Sequence, residues 1–336
     1  MPFALQKLLH TARLVRSVLI AIADLLLAPA TIVAALLLKC IRVCGVSDAR
    51  LSMAIFRTVG VFPILDHYYE PLFSPKRLYR NLNEPRTLPG IELDERKQCG
   101  LLRQFNYQEE LVCYPLSRSS DRLQYYYHNT SYGPGDAECL YSMIRLFRLR
   151  RVIEIGSGHS TLVAAAALRM NRSVDVEYSC EHICIEPYER PWLEEVGVTV
   201  IRSPVERVDI EVFDDLNEND ILFIDSSHII RPQGDVLHVY QHILPRLSSG
   251  VLVHVHDIFT PRDYPKAWIV DRVLLWNEQY LLESFLAFNS AFEVVCALNH
   301  LCHTQAQTVR GCFPVYAREE ALREPGAFWI RSRPRG

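Results

Sequence analysis

Val152-Ile153-Glu154-Ile155-Gly156-Ser157-Gly158-His159-Ser160-Thr161 decides the fold of this chain. A short apolar run ends on an acid, and two glycines follow one residue apart. A hydroxyl pair then opens Leu162-Val163-Ala164-Ala165-Ala166-Ala167-Leu168. The pattern predicts a buried strand, a tight glycine turn and the first turn of a helix. Bare backbone in such a turn admits a ligand closely, and the free N–H groups of the helix start point at it. A nucleotide-like cofactor site is the geometry to expect.

Downstream, strands are expected at 151–155, 181–186, 197–201, 220–225 and 250–256, with apolar helical stretches between most of them. This alternation predicts a doubly wound parallel sheet with helices on both faces. Residues 268–289 read as one helix, in which Trp276-Asn277-Glu278-Gln279-Tyr280 is a packing segment with polar partners. Phe292 to Leu298 and Phe328 to Arg331 read as two closing strands.

Ligands of open α/β sheets lie beyond the carboxyl ends of the strands. Here the ends carry Glu154, then Glu186, then Asp225 with Ser226, Ser227 and His228, and finally His256 and Asp257. Glu186 offers two oxygens, enough for both hydroxyls of a ribose. The turn discriminates among cofactors. A dinucleotide fingerprint needs a third glycine where Thr161 stands, and its acid about 20 residues on. Glu186 follows Gly158 by 28 residues (186 − 158). The phosphate loop Gly-x-x-x-x-Gly-Lys does not occur. Glu154, directly before the turn, would repel a pyrophosphate and suits a cationic or amino-acid ligand, which points to S-adenosylmethionine rather than a nicotinamide.

Taken together, Glu154 to Ser160, Cys184-Ile185-Glu186-Pro187, Phe223 to His228 and His256 to Pro265 resemble a class I S-adenosylmethionine-dependent methyltransferase. The closest likeness is to the bacterial branch with Asp-x-x-His after strand four and His-Asp after strand five. It covers roughly residues 130 to 332, and Asp66-His67-Tyr68-Tyr69-Glu70-Pro71 is similar to a segment of membrane-proximal members. The resemblance implies a Rossmann-like seven-stranded sheet whose last strand runs antiparallel between its neighbours. It implies a methionine-binding turn from Gly156 through Ser157, Gly158 and His159 to Ser160, with Glu186 on the ribose. Glu154 and Asp225 complete the expected cofactor set. His159 stands where many members carry a third glycine.

Methyl transfer needs an in-line approach to a sulfonium methyl, so positioning supplies much of the acceleration. With a hydroxyl acceptor, a base within hydrogen-bond reach helps. His228 and His256 are the candidates; Asp225 and Asp257 could orient them or bind a hard cation such as magnesium. No three-ligand set matches a metal motif, and His300, Cys302 and His303 fit no zinc spacing. Asp263-Tyr264-Pro265 is either a loop that closes over the acceptor or a fixed one.

Before the glycine turn the chain changes character. Leu14 to Leu38 is the most apolar stretch, about the roughly 20 residues that cross a bilayer core. Basic residues flank it on both sides, so no positive-inside asymmetry orients it. Pro29 leaves a re-entrant or interfacial hairpin open beside a single span, and no cleavage site follows. The expected organisation is a hydrophobic membrane-associating segment at 1–44, an irregular cap at 45–135 and the cofactor-binding domain at 136–336. Within the cap, Asp66, His67 and Glu70 are either groups offered over a substrate or part of an aromatic packing segment.

A formal charge of −3 and no basic stripe argue against nucleic acid. Ten scattered cysteines, none in Cys-x-x-Cys, read as reduced thiols of a cytosol-facing protein. The expected function is methylation of an oxygen on a small metabolite or lipid-linked envelope or saccharide precursor, at the membrane with the catalytic domain cytoplasmic. Two alternatives stand beside it: a metal-dependent hydrolase or hydroxylase-like enzyme using Asp225, His228, His256 and Asp257, and a non-catalytic, cofactor-binding membrane adaptor.

Overall fold

The computed structural model describes residues 3–45, 48–188, 190–319 and 324–334, with side chains from residue 14 onward. It divides into two units, Met1–Tyr79 and Arg80–Gly336.

The N-terminal unit opens with one continuous helix, α1 (Phe3–Val43), that passes through Pro29. The hairpin alternative is thereby overturned. A proline removes one backbone hydrogen bond, and the leucines and alanines on both sides are strong helix formers. Its segment Leu14–Val43 has a mean hydropathy of 2.3 and buries none of its surface. At 1.5 Å per residue those 30 residues reach about 45 Å, more than the roughly 30 Å of a bilayer core. A short helix, α2 (Arg50–Val59), follows and stops at Gly60, whose φ of 77° suits a residue without Cβ. Glu70 pairs with Arg42 and Asp66 lies 3.4 Å from Arg77, so both acids are engaged inside this unit.

The second unit is built on seven strands: β1 (Arg151–Ile155), β2 (Glu181–Ile185), β3 (Thr199–Ile201), β4 (Ile221–Ile224), β5 (Leu252–Val255), β6 (Phe292–Ala297) and β7 (Phe328–Ser332). Their order is β3-β2-β1-β4-β5-β7-β6. Strands one to five pair in parallel, and β7 lies antiparallel between β5 and β6. Helices α3 (Glu95–Leu102), α4 (Gln108–Leu111), α5 (Asp136–Phe147) and α6 (His159–Val174) accompany its first half. Later come α7 (Asp235–His238), α8 (Glu278–Leu286), α9 (Leu298–Thr304), α10 (Ala306–Cys312) and α11 (Pro314–Glu319).

Two-residue periodicity sorts the strand side chains between two cores. Val152, Ile221, Phe223, Leu252 and Trp329 join the core with α5 and α6. Ile153, Ile155, Leu222, Ile224, Val253, Val255 and Ile330 join the core with α8. A sheet covered on both faces explains why these strands read as near-continuous apolar runs. The same alternation puts Glu154 opposite Cys184 and Phe223 in register, with His254 next in line opposite Phe223.

One element differs from expectation. Residues 268–289 are not a single helix: helical turns at Ala267–Asp271 stop, and α8 starts only at Glu278. Val273 takes a φ of 53°, which a helix cannot accommodate. The carbonyl of His228 receives the N–H groups of Asn277 and Glu278, so the break is fixed by a partner some fifty positions earlier.

Candidate active site

The glycine turn is closed by β4. Gly156 has a φ of 78°, and a Cβ placed there would sit 2.1 Å from the carbonyl oxygen of Asp225. Only glycine fits that approach. Gly158 is extended, and its N–H donates to Thr161 Oγ1 at 3.0 Å. The N–H of Ser157 donates to Glu186 Oε2 (3.1 Å), and that of Tyr188 to Glu186 Oε1 (2.9 Å). Glu186 therefore stands at the end of β2, against the turn, its carboxylate oriented by two backbone donors. The Oγ of Ser157 is buried without a partner among the described residues.

Glu154 and Ser160 face away from the turn's open side. Glu154 Oε2 accepts from Ser160 Oγ and Thr161 Oγ1, both at 3.0 Å, and Oε1 lies 2.5 Å from His182 Nε2. Both oxygens are thus engaged inside the protein, and the acid fastens helix α6 to the sheet. His159 turns outward to the 129–135 loop, where its Nδ1 meets Ser131 Oγ at 2.8 Å. Burial, with Arg190 and Arg118 nearby, pushes its pKa down to about 4, so it is neutral at neutral pH.

Beyond β4 and β5 lies a cleft of about 810 Å³, its walls including Asn129, Asp225, His228, His256, Asp257 and Trp276. That size is typical of small-molecule sites. His228 is the hub. Its Nδ1 lies 2.8 Å from Glu278 Oε2, and its Nε2 lies 3.3 Å from Asp225 and 3.9 Å from Asp257. Burial opposes its charge, but Asp225 and Glu278 prevail and raise its pKa well above the usual imidazole value. Asp225 shows the converse: burial would raise its pKa, yet His256 and His228 hold it well below the carboxylate range. Both shifts favour the charged forms, with the His228 ring set between the Glu278 and Asp225 carboxylates. His228 (φ 60°) and Asp257 (φ 58°) both occupy the left-handed region, a conformation non-glycine residues adopt at a cost.

His256 differs from His228. Its Nε2 lies 3.3 Å from Asp257 Oδ1 without the alignment of a hydrogen bond, and neither ring nitrogen has a partner among the described residues. Tyr132 packs on it with ring centres 5.0 Å apart. Behind it His254 stacks on Phe223 at 4.4 Å, and burial keeps its pKa well below the usual value.

Of the strand-end residues singled out in the sequence, Asp225, His228, His256 and Asp257 line one cleft, Glu186 stands against the glycine turn, and Glu154 turns into the protein. The sequence did not reveal Glu278, fully buried, which holds His228 and also accepts from Ser226 Oγ at 3.0 Å. Nor did it reveal Trp276, whose ring centre is 4.3 Å from that of His228. Both lie in or beside the break assigned above to a mid-helix packing segment. The Asp263-Tyr264-Pro265 loop is a fixed one. Arg80 donates to Asp263 at 2.5 Å, Tyr280 OH lies 3.1 Å from the same carboxylate, and the Tyr264 hydroxyl accepts from the Gln279 N–H.

For metals, the only His/Cys/Asp/Glu group among the described residues with ligand atoms mutually within 4.8 Å is Glu154, His182 and Cys184. That trio is a hydrogen-bond network: Glu154 is saturated by hydroxyls and imidazole, and burial raises the Cys184 pKa, keeping a neutral thiol rather than a thiolate. His300 pairs with Glu95 and His303 with Glu324, so these histidines do not converge on one ion.

Residues 153–258 match the family described as a methyltransferase domain. Together with the reversed seventh strand and the glycine turn, this match makes the second unit similar in fold to a class I S-adenosylmethionine-dependent methyltransferase. An uncharacterized protein of Archaeoglobus fulgidus is 28% identical over 180 residues, which cover 49% of this chain and 79% of that protein. A solved structure described as a candidate protein-L-isoaspartate O-methyltransferase from Plasmodium falciparum, in complex with S-adenosyl-L-homocysteine, is 14% identical. It aligns over 49% of this chain and 77% of its own, with a TM-score of 0.27.

Proposed function

We propose that the enzyme methylates a hydroxyl oxygen of a small-molecule or lipid-linked acceptor, with its N-terminal helix in a membrane and its catalytic domain on the cytoplasmic side. The observation that carries this reading is the double position of Asp225. Its carbonyl closes the Gly156 turn, while the residue lines the 810 Å³ cleft with His228, His256 and Asp257. Cofactor turn and acceptor cleft thus meet at one residue. The membrane part rests on the exposed apolar span of α1.

The residues present fit the cofactor. Gly156 leaves a cradle that a Cβ would fill, Ser157 Oγ is buried and unengaged, and Glu186 presents a preoriented carboxylate for ribose hydroxyls. S-adenosylmethionine, when bound, supplies the electrophilic methyl. Gly156, Ser157, Gly158 and His159 line its methionine end, while Glu154 and Ser160 hold the turn in shape from behind. At the acceptor side, His228 cannot take a proton while it holds its own between Glu278 and Asp225. Its task is to fix Asp225 as an oriented, ionised carboxylate beside the acceptor. His256, in the cleft wall beside Asp257, is assigned to take the hydroxyl proton. Asp225, His228, His256 and Asp257 do not bring three ligand atoms within 4.8 Å of one another, so the reading assigns no magnesium step.

The test is calorimetric titration of the full-length protein in detergent micelles with S-adenosylmethionine, S-adenosylhomocysteine and NADH. Methyl transfer from labelled cofactor to membrane lipid and polar metabolite fractions follows. Adenosyl binding with label entering a methyl ether is the expected result. Binding without transfer to any fraction would favour a cofactor-binding adaptor instead.

A further inference from the structure

Helix α2 carries an exposed apolar stripe that its own unit leaves uncovered. Leu51, Ile55 and Val59 are spaced i, i+4, i+8, which places them along one face, and they are 76%, 52% and 67% exposed. Arg50 and Arg57 lie on the opposite face, beside the buried Met53. The apolar surface continues past Gly60 into Val61 and Phe62, both exposed. Exposed apolar residues gathered along one face mark an interaction site.

What covers it is indicated by what precedes it. Only residues 44–49 separate α2 from the end of the apolar span Leu14–Val43. The junction is also fastened. Arg42, in the last turn of α1, pairs with Glu70 and lies 4.8 Å over the Phe62 ring. The segment that continues the stripe is therefore held at the end of the span. Beyond it Tyr68, Tyr69 and Tyr79 are strongly exposed, the residue type enriched where a bilayer meets water. Exposed stripe, opposed arginines and neighbouring tyrosines are the features of a helix lying in the interface plane.

We infer that α2 and the residues after it, through Ile64, lie in the bilayer surface as an interfacial collar around the exit of α1, with Leu51, Ile55, Val59 and Phe62 in the acyl boundary. The inference rests on the reading of α1 as a membrane helix and goes beyond it by assigning lipid contact to a segment too short and too polar to span.

The experiment uses the full-length protein in nanodiscs of phosphatidylethanolamine and phosphatidylglycerol that contain a phospholipid with a photoactivatable diazirine in its acyl chain. After illumination, adducts are mapped by peptide mass spectrometry. Adducts are expected on residues 14–43 and on 51–62. In Leu51→Glu/Ile55→Glu/Val59→Glu the second set should vanish while the first is retained, and the milder Ile55→Ser should reduce it. S-adenosylhomocysteine binding, unchanged in both variants, confirms folding. Adducts confined to 14–43 in the parent protein would overturn the collar and leave the membrane helix standing. Adducts in neither segment would overturn both.

Discussion

Glu278→Gln tests the strongest electrostatic feature of the cleft. The substitution keeps shape and a hydrogen-bond acceptor but removes one of the two charges that hold His228 as an imidazolium. Two unit charges 2.8 Å apart attract by about 6 kcal/mol at an effective dielectric near 20. Against this, the variant no longer carries the several kcal/mol of dehydration that a buried carboxylate costs. The amide oxygen also keeps a neutral hydrogen bond worth about 1 kcal/mol. The net loss should be about 2 kcal/mol, or roughly 4–8 °C in Tm for a domain of this size. The sign of the pH dependence follows from the raised pKa of His228. Its stabilisation is complete below the ordinary imidazole value near 6.5 and fades as pH rises through the elevated folded value. The deficit of the variant should therefore be largest near pH 6 and shrink toward pH 10. Tryptophan-fluorescence melts of both full-length proteins in detergent at the two pH values measure it. Equal Tm values at pH 6, or a deficit that grows at pH 10, would refute the imidazolium clamp.

Three further outcomes follow from the same geometry. Glu186→Ala should weaken S-adenosylhomocysteine binding at least about tenfold, since each hydrogen bond to a charged group contributes roughly 1.5–3 kcal/mol. Titration calorimetry at parent affinity would remove Glu186 from the ribose position. Gly156→Ala sets a Cβ against the Asp225 carbonyl at a φ of 78°, where left-handed backbone alone costs about 1–2 kcal/mol. Lower Tm and lost cofactor binding are expected, and a variant that keeps both would show that the turn relaxes freely. His256→Ala should slow methyl transfer roughly 10²- to 10⁴-fold with cofactor affinity intact; undiminished turnover would send the proton elsewhere.

The sequence by itself determined the sheet and the residues that stand at its strand ends. Each strand end brings its functional residue along in a contiguous segment: Glu154 with Gly156, Ile185 with Glu186, Ile224 with Asp225, Val255 with His256 and Asp257. Local pattern suffices there because strand, turn and helix start are encoded within a dozen residues. It did not reveal that Glu154 and Ser160 turn into the protein, because which face a strand residue takes depends on the neighbours it pairs with.

Only the tertiary structure decided the acceptor side. His228 and Glu278 are fifty positions apart and meet because a left-handed turn at His228 aims its carbonyl at the start of α8. The apolar periodicity of 268–289 carries no mark of that break, since hydrophobic spacing reports burial and not the backbone partner that interrupts a helix. The protonation of His228 was hidden for the same reason. A histidine's charge is set by the carboxylates folding places around it, and a motif names only the nearest of them.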